Sequence, residues 1–165
     1  MTDRLGTIER CYTVRFERES KHSAARLWKA LTDADEVSAW MDYPASIDLR
    51  PGGRWYVDFS KTDEGDLDGI VVRAEPERLL TYLWGLSVCE WTIAPATAGC
   101  TYTFVQAGLA LRDIDDEEGL AAGWHVFFDQ LDLHLDGQPI IRADQMAKWN
   151  ELKPPYRERL DAALR

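Results

Sequence analysis

The chain has 165 residues, the length of one domain, since two full domains would each be too short to bury a sizeable core. Hydrophobic residues make up 45% of it and charged residues 29%, a composition that excludes intrinsic disorder. Lys and Arg number 19 against 29 Asp and Glu, so the formal net charge is −10. We therefore expect no nucleic-acid partner, because nucleic-acid backbones bind proteins with an excess of cations.

Two further features bear on location. No apolar run approaches the roughly 18–20 residues of a membrane span, and residues 1–4 lack the apolar core of a signal peptide. The three cysteines, Cys11, Cys89 and Cys100, are an odd number without CxxC spacing, which is typical of free thiols in a reducing compartment. The sequence thus predicts a cytoplasmic protein with no membrane span.

The first predicted elements are a strand and two short helices. Residues 9–20 alternate between apolar and polar side chains, the period of a half-buried strand. Apolar residues then recur at spacings of three and four over residues 23–41, which predicts two helices, the first opened by Ser23 or His22 and the second capped at Thr32-Asp33. Pro44 closes the second helix.

Six more strands are predicted between Ile47 and Gly108 as an antiparallel meander. Pro51-Gly52-Gly53 marks a turn that needs positive φ, and residues 61–69 are predicted to form an exposed acidic loop. Suppose that the inward side chains of strands 89–93 and 102–104 share a face. The residue numbers of two paired residues in this hairpin must then add up to an odd number near 194. Cys89 then lies opposite the region around Phe104 and Gln106, and we expect no disulfide between Cys89 and Cys100.

The clearest element is a helix from about Leu120 to Leu135, ended by Asp136-Gly137. Acidic residues at 113–118 precede it. It carries one unbroken apolar stripe, formed by Leu120, Trp124, Phe127, Phe128, Leu131 and Leu135.

A weaker second stripe on that helix contains Ala122, Val126 and Leu133. The residues beyond it predict a helical tail that is interrupted at Pro154-Pro155 and followed by a last short helix. We expect the tail to fold back over the second stripe, so the predicted division is a domain over residues 8–137 and a helical tail over residues 138–165 packed on it.

The resulting order is β-α-α-β6-α. A seven-stranded antiparallel sheet needs its apolar face covered, and the long helix is the obvious cover. We therefore predict an α+β architecture, helix-grip, in which a curved seven-stranded sheet wraps on the long C-terminal helix and two short helices follow the first strand. The space between sheet and helix can be filled by side chains or by a ligand.

Several local sequences resemble one superfamily in the same order along the chain. They are SKHSAARLWKALTDADEVSAWM at residues 20–41, RPGG at 50–53, EPERLL at 75–80 before Tyr82 and Trp84, residues 89–95, residues 99–103, and Gly123-Trp124 with Leu131. Together they resemble the SRPBCC (START-like, helix-grip) superfamily, and most of all its activator of heat-shock-protein-90 ATPase homologue branch. The resemblance covers roughly residues 10–135 and implies the fold and a tendency to bind apolar ligands, without a shared reaction.

Catalytic and metal motifs do not stand out. GxSxG, P-loop and GxGxxG patterns are missing, and we assign no catalytic residue and no cofactor. His125 and His134 lie nine residues apart on one helix, about half a turn out of phase, so they cannot hold one metal ion together. We therefore predict no metal site.

Aromatic residues are the most informative group. Seven tryptophans in the chain, with tyrosines and phenylalanines on inward positions, are consistent either with an ordinary aromatic core or with the walls of a pocket for a flat or long apolar ligand. Gln106 either faces this pocket or faces solvent at a strand end. The predicted pocket residues are Trp40, Tyr43, Trp55, Tyr82, Trp84, Trp91, Tyr102, Phe104, Gln106, Trp124, Phe127 and Phe128.

Three functions follow from these alternatives. The first is a binding protein that holds a small hydrophobic or amphipathic molecule between sheet and helix. The second is a co-chaperone-like interaction module with a filled interior, and the third is an enzyme of the cyclase/aromatase type known among proteins of this fold. A ligand-sized void favours the first and a packed interior favours the second. The chain is expected to be a monomer or a homodimer.

Overall fold

Seven strands and five helices make up the computed structural model, which describes residues 11–60, 67–114 and 119–165. In chain order they are β1 (Tyr12–Ser20), α1 (Ala24–Thr32), α2 (Ala34–Met41), β2 (Ala45–Ile47), β3 (Arg54–Val57), β4 (Leu67–Glu75), β5 (Leu79–Trp84), β6 (Ser87–Ala96), β7 (Gly99–Leu109), α3 (Leu111–Ile114), α4 (Leu120–Leu135) and α5 (Arg142–Ala163). The predicted β-α-α-β6 order and the long helix are confirmed.

The strands form one antiparallel sheet in the order β1-β7-β6-β5-β4-β3-β2. Each strand from β2 to β7 pairs with the next, and β1 crosses to the far edge to pair with β7. The sheet is curved and α4 packs on its apolar face, where Phe128 contacts the rings of Trp91 and Phe104. The α+β helix-grip layout is thus confirmed.

The pairing of β6 with β7 follows from side-chain alternation. Trp91 pairs with Phe104 and Cys89 with Gln106, so the predicted odd sum of paired positions is confirmed. The inward positions of both strands are buried and the outward positions of β6 are exposed. Cys89 and Cys100 are free thiols, since this register keeps them on different rungs of the ladder.

Of the candidate caps, Ser23 and Asp33 are the ones that the structure uses. Ser23 is the N-cap of α1, and its hydroxyl accepts a hydrogen bond from the Arg26 backbone N–H at 3.1 Å. The Asp33 carboxylate accepts from the backbone N–H groups of Asp35 and Glu36, at 3.0 and 3.1 Å. These bonds satisfy donors that the first turn of a helix leaves unpaired, which explains why the two helices start where they do.

The turn before β3 depends on two glycines for different reasons. Gly52 has φ +81°, a left-handed conformation that side chains with a Cβ disfavour. Gly53 is required by space, since a Cβ there would lie 2.1 Å from the carbonyl oxygen of Asp48. The predicted turn is confirmed.

The predicted acidic loop over residues 61–69 is too long at its C-terminal end. Strand β4 begins at Leu67, because Asp68 and Gly69 pair with Tyr56 and Trp55 of β3. The Asp68 carboxylate also accepts a hydrogen bond from Arg54 at 2.7 Å. Residues 61–66 lie outside the described residues.

Helix α3 is not anticipated by the sequence. This single turn begins directly after β7, and the Asp113 carboxylate accepts a hydrogen bond from the Ala110 backbone N–H at 2.7 Å. Most of the acidic residues that were predicted to precede α4, those at 115–118, lie outside the described residues.

The tail is one helix, so the predicted interruption at Pro154-Pro155 is wrong. Both prolines lie inside α5 and remove the hydrogen bonds that the Asn150 and Glu151 carbonyls would otherwise accept. Those two residues are exposed, so water can bond their carbonyl groups and the helix continues. None of the helices in the described ranges has the length and apolar sequence to cross a bilayer.

Candidate functional site

Aromatic side chains fill the middle of the space between sheet and α4. Trp55 stacks on Tyr82 with ring centroids 4.1 Å apart and planes 8° apart. Trp91 contacts Phe104 at 4.9 Å and meets Phe128 edge-on at 5.5 Å. All five side chains are buried, so this region is a packed core rather than a cavity.

Polar atoms in this core stay neutral. Trp91 Nε1 donates a hydrogen bond to the Tyr82 hydroxyl at 3.3 Å. Burial raises the pKa of the Tyr82 hydroxyl and that of the neighbouring Cys89 thiol above their ordinary values. The buried Trp55 Nε1 and the buried Tyr102 hydroxyl have no hydrogen-bond partner among the described residues.

A cleft of about 890 Å³ opens at the N-terminal end of α4. Its apolar walls come from four parts of the molecule: the segment after β3, the β5–β6 turn, the first turns of α4 and the first half of α5. The main apolar lining residues are Phe59, Trp84, Leu120, Trp124, Phe127, Met146 and Trp149.

The floor of the cleft contains a chain of neutral hydrogen bonds centred on Gln106. Trp124 Nε1 donates to Gln106 Oε1 at 2.7 Å, and Gln106 Nε2 donates to Ser87 Oγ at 2.8 Å. Ser87 Oγ in turn donates to the Trp84 carbonyl oxygen at 2.8 Å. Gln106 is 1% exposed, so of its two possible orientations the structure has the inward one.

Two more carboxamides line the cleft. Gln130 of α4 is buried and donates through Nε2 to the Trp40 carbonyl oxygen at 2.9 Å. Gln145 of α5 has a buried Oε1 that no donor reaches within the described part of the chain. The deep polar groups of the cleft are therefore amides and a hydroxyl, without formal charge.

Charged lining residues lie at the rim. Arg142 donates through Nε to the Asp42 carboxylate at 2.8 Å and through Nη1 to the Tyr43 hydroxyl at 3.3 Å. The Arg142 and Asp42 side chains are 54% and 47% exposed. Arg112 and Asp113, the other charged lining residues, are also exposed at 82% and 42%. The rim is thus charged and solvated, whereas the floor is neutral.

The twelve predicted pocket residues divide between these two regions. Five line the cleft: Tyr43, Trp84, Gln106, Trp124 and Phe127. Seven lie outside its lining and are buried, namely Trp40, Trp55, Tyr82, Trp91, Tyr102, Phe104 and Phe128. Trp40 packs beside α1, where its Nε1 donates to the Ala30 carbonyl oxygen at 2.9 Å.

Sequence reasoning missed several lining residues. Gln130 interrupts the apolar sequence of α4 and could have been noticed for that reason. Phe59 alternates with Trp55 and Val57 in the predicted strand and could have been noticed for that reason. Gln145, Met146 and Trp149 belong to the tail, which was assigned only a packing role, and no local pattern marks them as facing a cleft.

The three histidines lie away from the cleft lining. His125 Nδ1 and His134 Nε2, both on α4, have different partners: the Tyr156 hydroxyl and the Glu36 carboxylate, each at 2.8 Å. His22 Nε2 lies 2.7 Å from the Asp136 carboxylate. Within the described ranges, no group of three or more His, Cys, Asp or Glu side chains is placed to hold a metal ion.

The Glu36–His134 pair fastens α2 to α4. Burial alone would raise the pKa of Glu36, but hydrogen bonds with His134 and Arg26 outweigh it and lower that pKa to about 2. Glu36 is therefore ionised at neutral pH. The pair links α2 to α4 and lies outside the cleft lining, so it stabilises the packing of the two helices and does not contact a molecule in the cleft.

Comparison with known proteins gives one family and a set of similar folds. The family model described as Activator of Hsp90 ATPase homolog 1-like protein matches residues 21–136. A search of curated proteins finds no match. The family match ends at residue 136, so α5, which begins at Arg142, lies beyond it.

Three solved structures illustrate the similarity. Protein MLL2253 from Mesorhizobium loti has 28% identity and a TM-score of 0.69, covering 78% of this chain and 100% of its own. A conserved protein of unknown function from Enterococcus faecalis has 15% identity, a TM-score of 0.73 and coverages of 92% and 86%. CalU16 from Micromonospora echinospora has 21% identity, a TM-score of 0.67 and coverages of 90% and 86%. The last two show a shared fold alone.

Proposed function

The chain belongs to the family of Activator of Hsp90 ATPase homolog 1-like proteins, and on this premise we propose that it binds a small, largely apolar molecule in the cleft between the sheet end, α4 and α5. The observation that carries the proposal is the cleft itself. Its volume of about 890 Å³ falls in the range of small-molecule sites, and aromatic and aliphatic side chains form most of its walls.

The lining indicates the chemistry of the ligand. Trp84 and Trp124, with ring centroids 5.0 Å apart, offer aromatic surface beside the floor amides. Burial of apolar area would supply most of the affinity, and the carboxamides would orient the ligand. A charged group at the deep end would lose its hydration without gaining an opposite charge, so the buried part of the ligand is neutral.

We would test this proposal by titrating the protein with the neutral fluorescent probe N-phenyl-1-naphthylamine and by native mass spectrometry of the freshly purified protein. We expect saturable binding of one probe per chain. Phe127→Ala should weaken it about tenfold, because this variant removes part of the apolar wall.

The matched control is Val72→Ala, which truncates an apolar side chain on the exposed face of β4, away from the cleft lining. It should leave the probe affinity unchanged. A wild-type protein that shows neither saturable probe binding nor a bound small molecule would overturn the proposal.

A co-chaperone-like role is the second candidate. It is supported by the packed core, which contains seven of the predicted pocket residues, and by the description of the family. Ile70, Val72 and Val88 add exposed apolar surface, with 49%, 49% and 39% exposure. An increase in the ATPase rate of an Hsp90-type chaperone on addition of this protein would support this candidate, and an unchanged rate at saturating protein would reject it.

No observation favours the enzyme alternative. Acid–base catalysis needs a proton-transferring group beside the bound molecule. The chain's histidines lie outside the cleft lining, and the lining carboxylates of the described residues, Asp42 and Asp113, are at the exposed rim.

We propose the cytoplasm as the location, which is supported by the two buried free thiols Cys89 and Cys100. The same native mass measurement distinguishes the monomer from the homodimer.

A further inference from the structure

A second concave surface, the β1 groove, lies between strand β1 and the second half of α5. Its volume of about 480 Å³ is within the range of small-molecule sites. Residues 12–16 of β1, the last strand at one edge of the sheet, line it. Successive side chains of a strand point to opposite faces, so a lining of consecutive residues means that the groove runs along the edge of the strand.

The β1 groove is separate from the cleft. Among the described residues, the two linings have only Gly119 in common. Trp149 lines the cleft and donates through Nε1 to the Gly119 carbonyl oxygen at 3.4 Å. Lys153 lines the groove, and its ammonium nitrogen lies 3.7 Å from the centroid of the Trp149 ring. These three residues therefore divide the two sites.

Most of the groove also lies outside the part of the chain that the family model matches. That match covers residues 21–136, whereas the walls of the groove come from residues 12–16 and from residues 153–163 of α5. A ligand of this groove would therefore be held mainly by residues that the family match does not include.

Apolar side chains form the floor of the groove and remain accessible. Phe16 contacts Tyr156, with ring centroids 6.1 Å apart, and Val14 and Leu160 also line the groove. All four are half-buried, so a bound molecule can cover their remaining surface. The Tyr156 hydroxyl lies 2.8 Å from His125 Nδ1, which fixes the position of the Tyr156 ring before any ligand enters.

The charge of the groove is opposite to that of the chain. Its described lining contains four cationic side chains and no carboxylate, whereas the chain has a formal net charge of −10. Arg15 of this lining is bonded to Glu17, with Nε 2.9 Å from the carboxylate. Lys153 and Arg159 have no carboxylate partner among the described residues. Arg159 is exposed and Lys153 is half-buried, so an anion in the groove can reach both.

We propose that the β1 groove is a second ligand site of this chain, and that its ligand is a monoanion with an apolar body, carrying one carboxylate or sulfonate group. The apolar body packs on the floor formed by Phe16, Tyr156 and Leu160. Lys153 and Arg159, three residues before and three residues after Tyr156 on α5, attract the anionic group. Burial of apolar area supplies affinity and the two cations select for negative charge. The inference goes beyond the proposed function, which assigns a neutral molecule to the cleft.

The test uses two fluorescent probes with the same apolar body. The anionic probe 8-anilino-1-naphthalenesulfonate differs from neutral N-phenyl-1-naphthylamine by one sulfonate group, so the comparison isolates the negative charge. We expect the wild-type chain to bind one molecule of the anionic probe. The double variant Lys153→Gln/Arg159→Gln should weaken this binding at least about fivefold, the weight of two accessible charge interactions, and should leave the neutral probe unaffected.

The matched control is Arg50→Gln/Arg78→Gln, which removes the same amount of charge from exposed residues outside the groove lining. It should leave the affinity for the anionic probe unchanged, and so should Phe127→Ala, which alters the cleft. Circular dichroism verifies that each variant is folded.

Three results would overturn the inference: no saturable binding of the anionic probe to the wild-type protein, equal weakening by the two double variants, or weakening by Phe127→Ala as large as that by the groove variant. The binding of the neutral probe tests the proposed function separately. Failure of one proposal therefore leaves the other standing.

Discussion

Two neighbouring phenylalanines on α4 show how differently the packed core and the cleft of the sheet–helix interface are built. Phe128 is fully buried and contacts the rings of Trp91, Phe104 and Trp124. Phe127 contacts Trp40 and Trp124 but lines the open cleft. Inward-facing aromatic residues are therefore equally compatible with a filled core and with a ligand cleft.

The difference comes from the residues on the opposite side. Facing Phe128, β6 and β7 present large side chains at paired positions, as with Trp91 and Phe104. In the cleft, the large strand residues Trp84 and Gln106 are accompanied by Ser87, Gly108 and the turn residue Gly85, which fill little volume. Space for a ligand is left where small residues lie among the large ones that face the helix, and the number of aromatic residues does not reveal it.

The largest expected effect is that of breaking the packed region with Phe128→Ala. Removing a fully buried ring leaves a cavity among the surrounding aromatic side chains, so we expect the free energy of unfolding to fall by about 3–5 kcal/mol. Urea denaturation followed by tryptophan fluorescence measures it. Probe affinity of the folded fraction should change little, and a loss below about 1 kcal/mol would contradict the packed arrangement.

Gln106→Leu tests the boundary between the two regions. The substitution leaves the Trp124 indole N–H without an acceptor and removes the amide that donates to the Ser87 hydroxyl, so we expect a loss of about 1–3 kcal/mol in unfolding free energy. The same denaturation experiment applies. Gln138→Leu, at an exposed amide, should be close to neutral, and equal effects for both variants would count against the network.

Phe127→Ala sharpens the comparison directly, because it truncates the neighbouring residue in the same helix. One side of Phe127 already borders the cleft, so the truncation creates no enclosed cavity and should cost only about 1–2 kcal/mol of unfolding free energy. The ratio between the two phenylalanine variants is the informative quantity. Equal losses in stability would show that both rings lie in the same kind of environment.

The smallest expected effect concerns the attachment of α5 and its dependence on pH. His125 faces Asp129 on α4, Arg18 on β1, and Lys148 and Tyr156 on α5. Burial, with the Arg18 and Lys148 charges, outweighs Asp129 and lowers the pKa of His125 below 6.5. The folded state therefore favours neutral His125, so the free energy of unfolding decreases as the pH falls through about 6.5.

Melting temperatures of wild type and His125→Gln, measured between about pH 7.5 and about pH 5.5, check this expectation. The other two histidines are present in both proteins, so the difference between the two curves isolates His125. The wild-type melting temperature should fall more steeply with decreasing pH than that of the variant. Parallel curves would show that His125 has no part in the effect.

Much of the fold could be predicted because its signals are local. The alternation in β6 and β7 predicts which side chains face inward, and that in turn predicts the register of the pair. Ser23 and Asp33 indicate the starts of α1 and α2 through hydrogen bonds to residues only two or three positions away. The apolar stripe of α4 gives its bounds in the same way.

Errors occurred where distant residues decide the outcome. The start of β4 at Leu67 depends on pairing with β3, and α5 continues through two prolines because the affected carbonyl groups face solvent. In the candidate site, five of the twelve predicted residues line the cleft, while Gln130, Gln145 and the other α5 residues went unrecognised. The spacing of apolar residues within α5 does not indicate which part of the molecule this helix packs against.

The sequence by itself determined which side chains point to the interior, because the periods of 2 and 3.6 residues are properties of the backbone alone. Only the tertiary structure decided which of those side chains pack against one another and which border open space. That outcome depends on the volumes that separate segments bring to the same place: Trp91 and Phe104 in the packed core, Ser87 and Gly108 in the cleft, and Gln145 from a helix far along the chain.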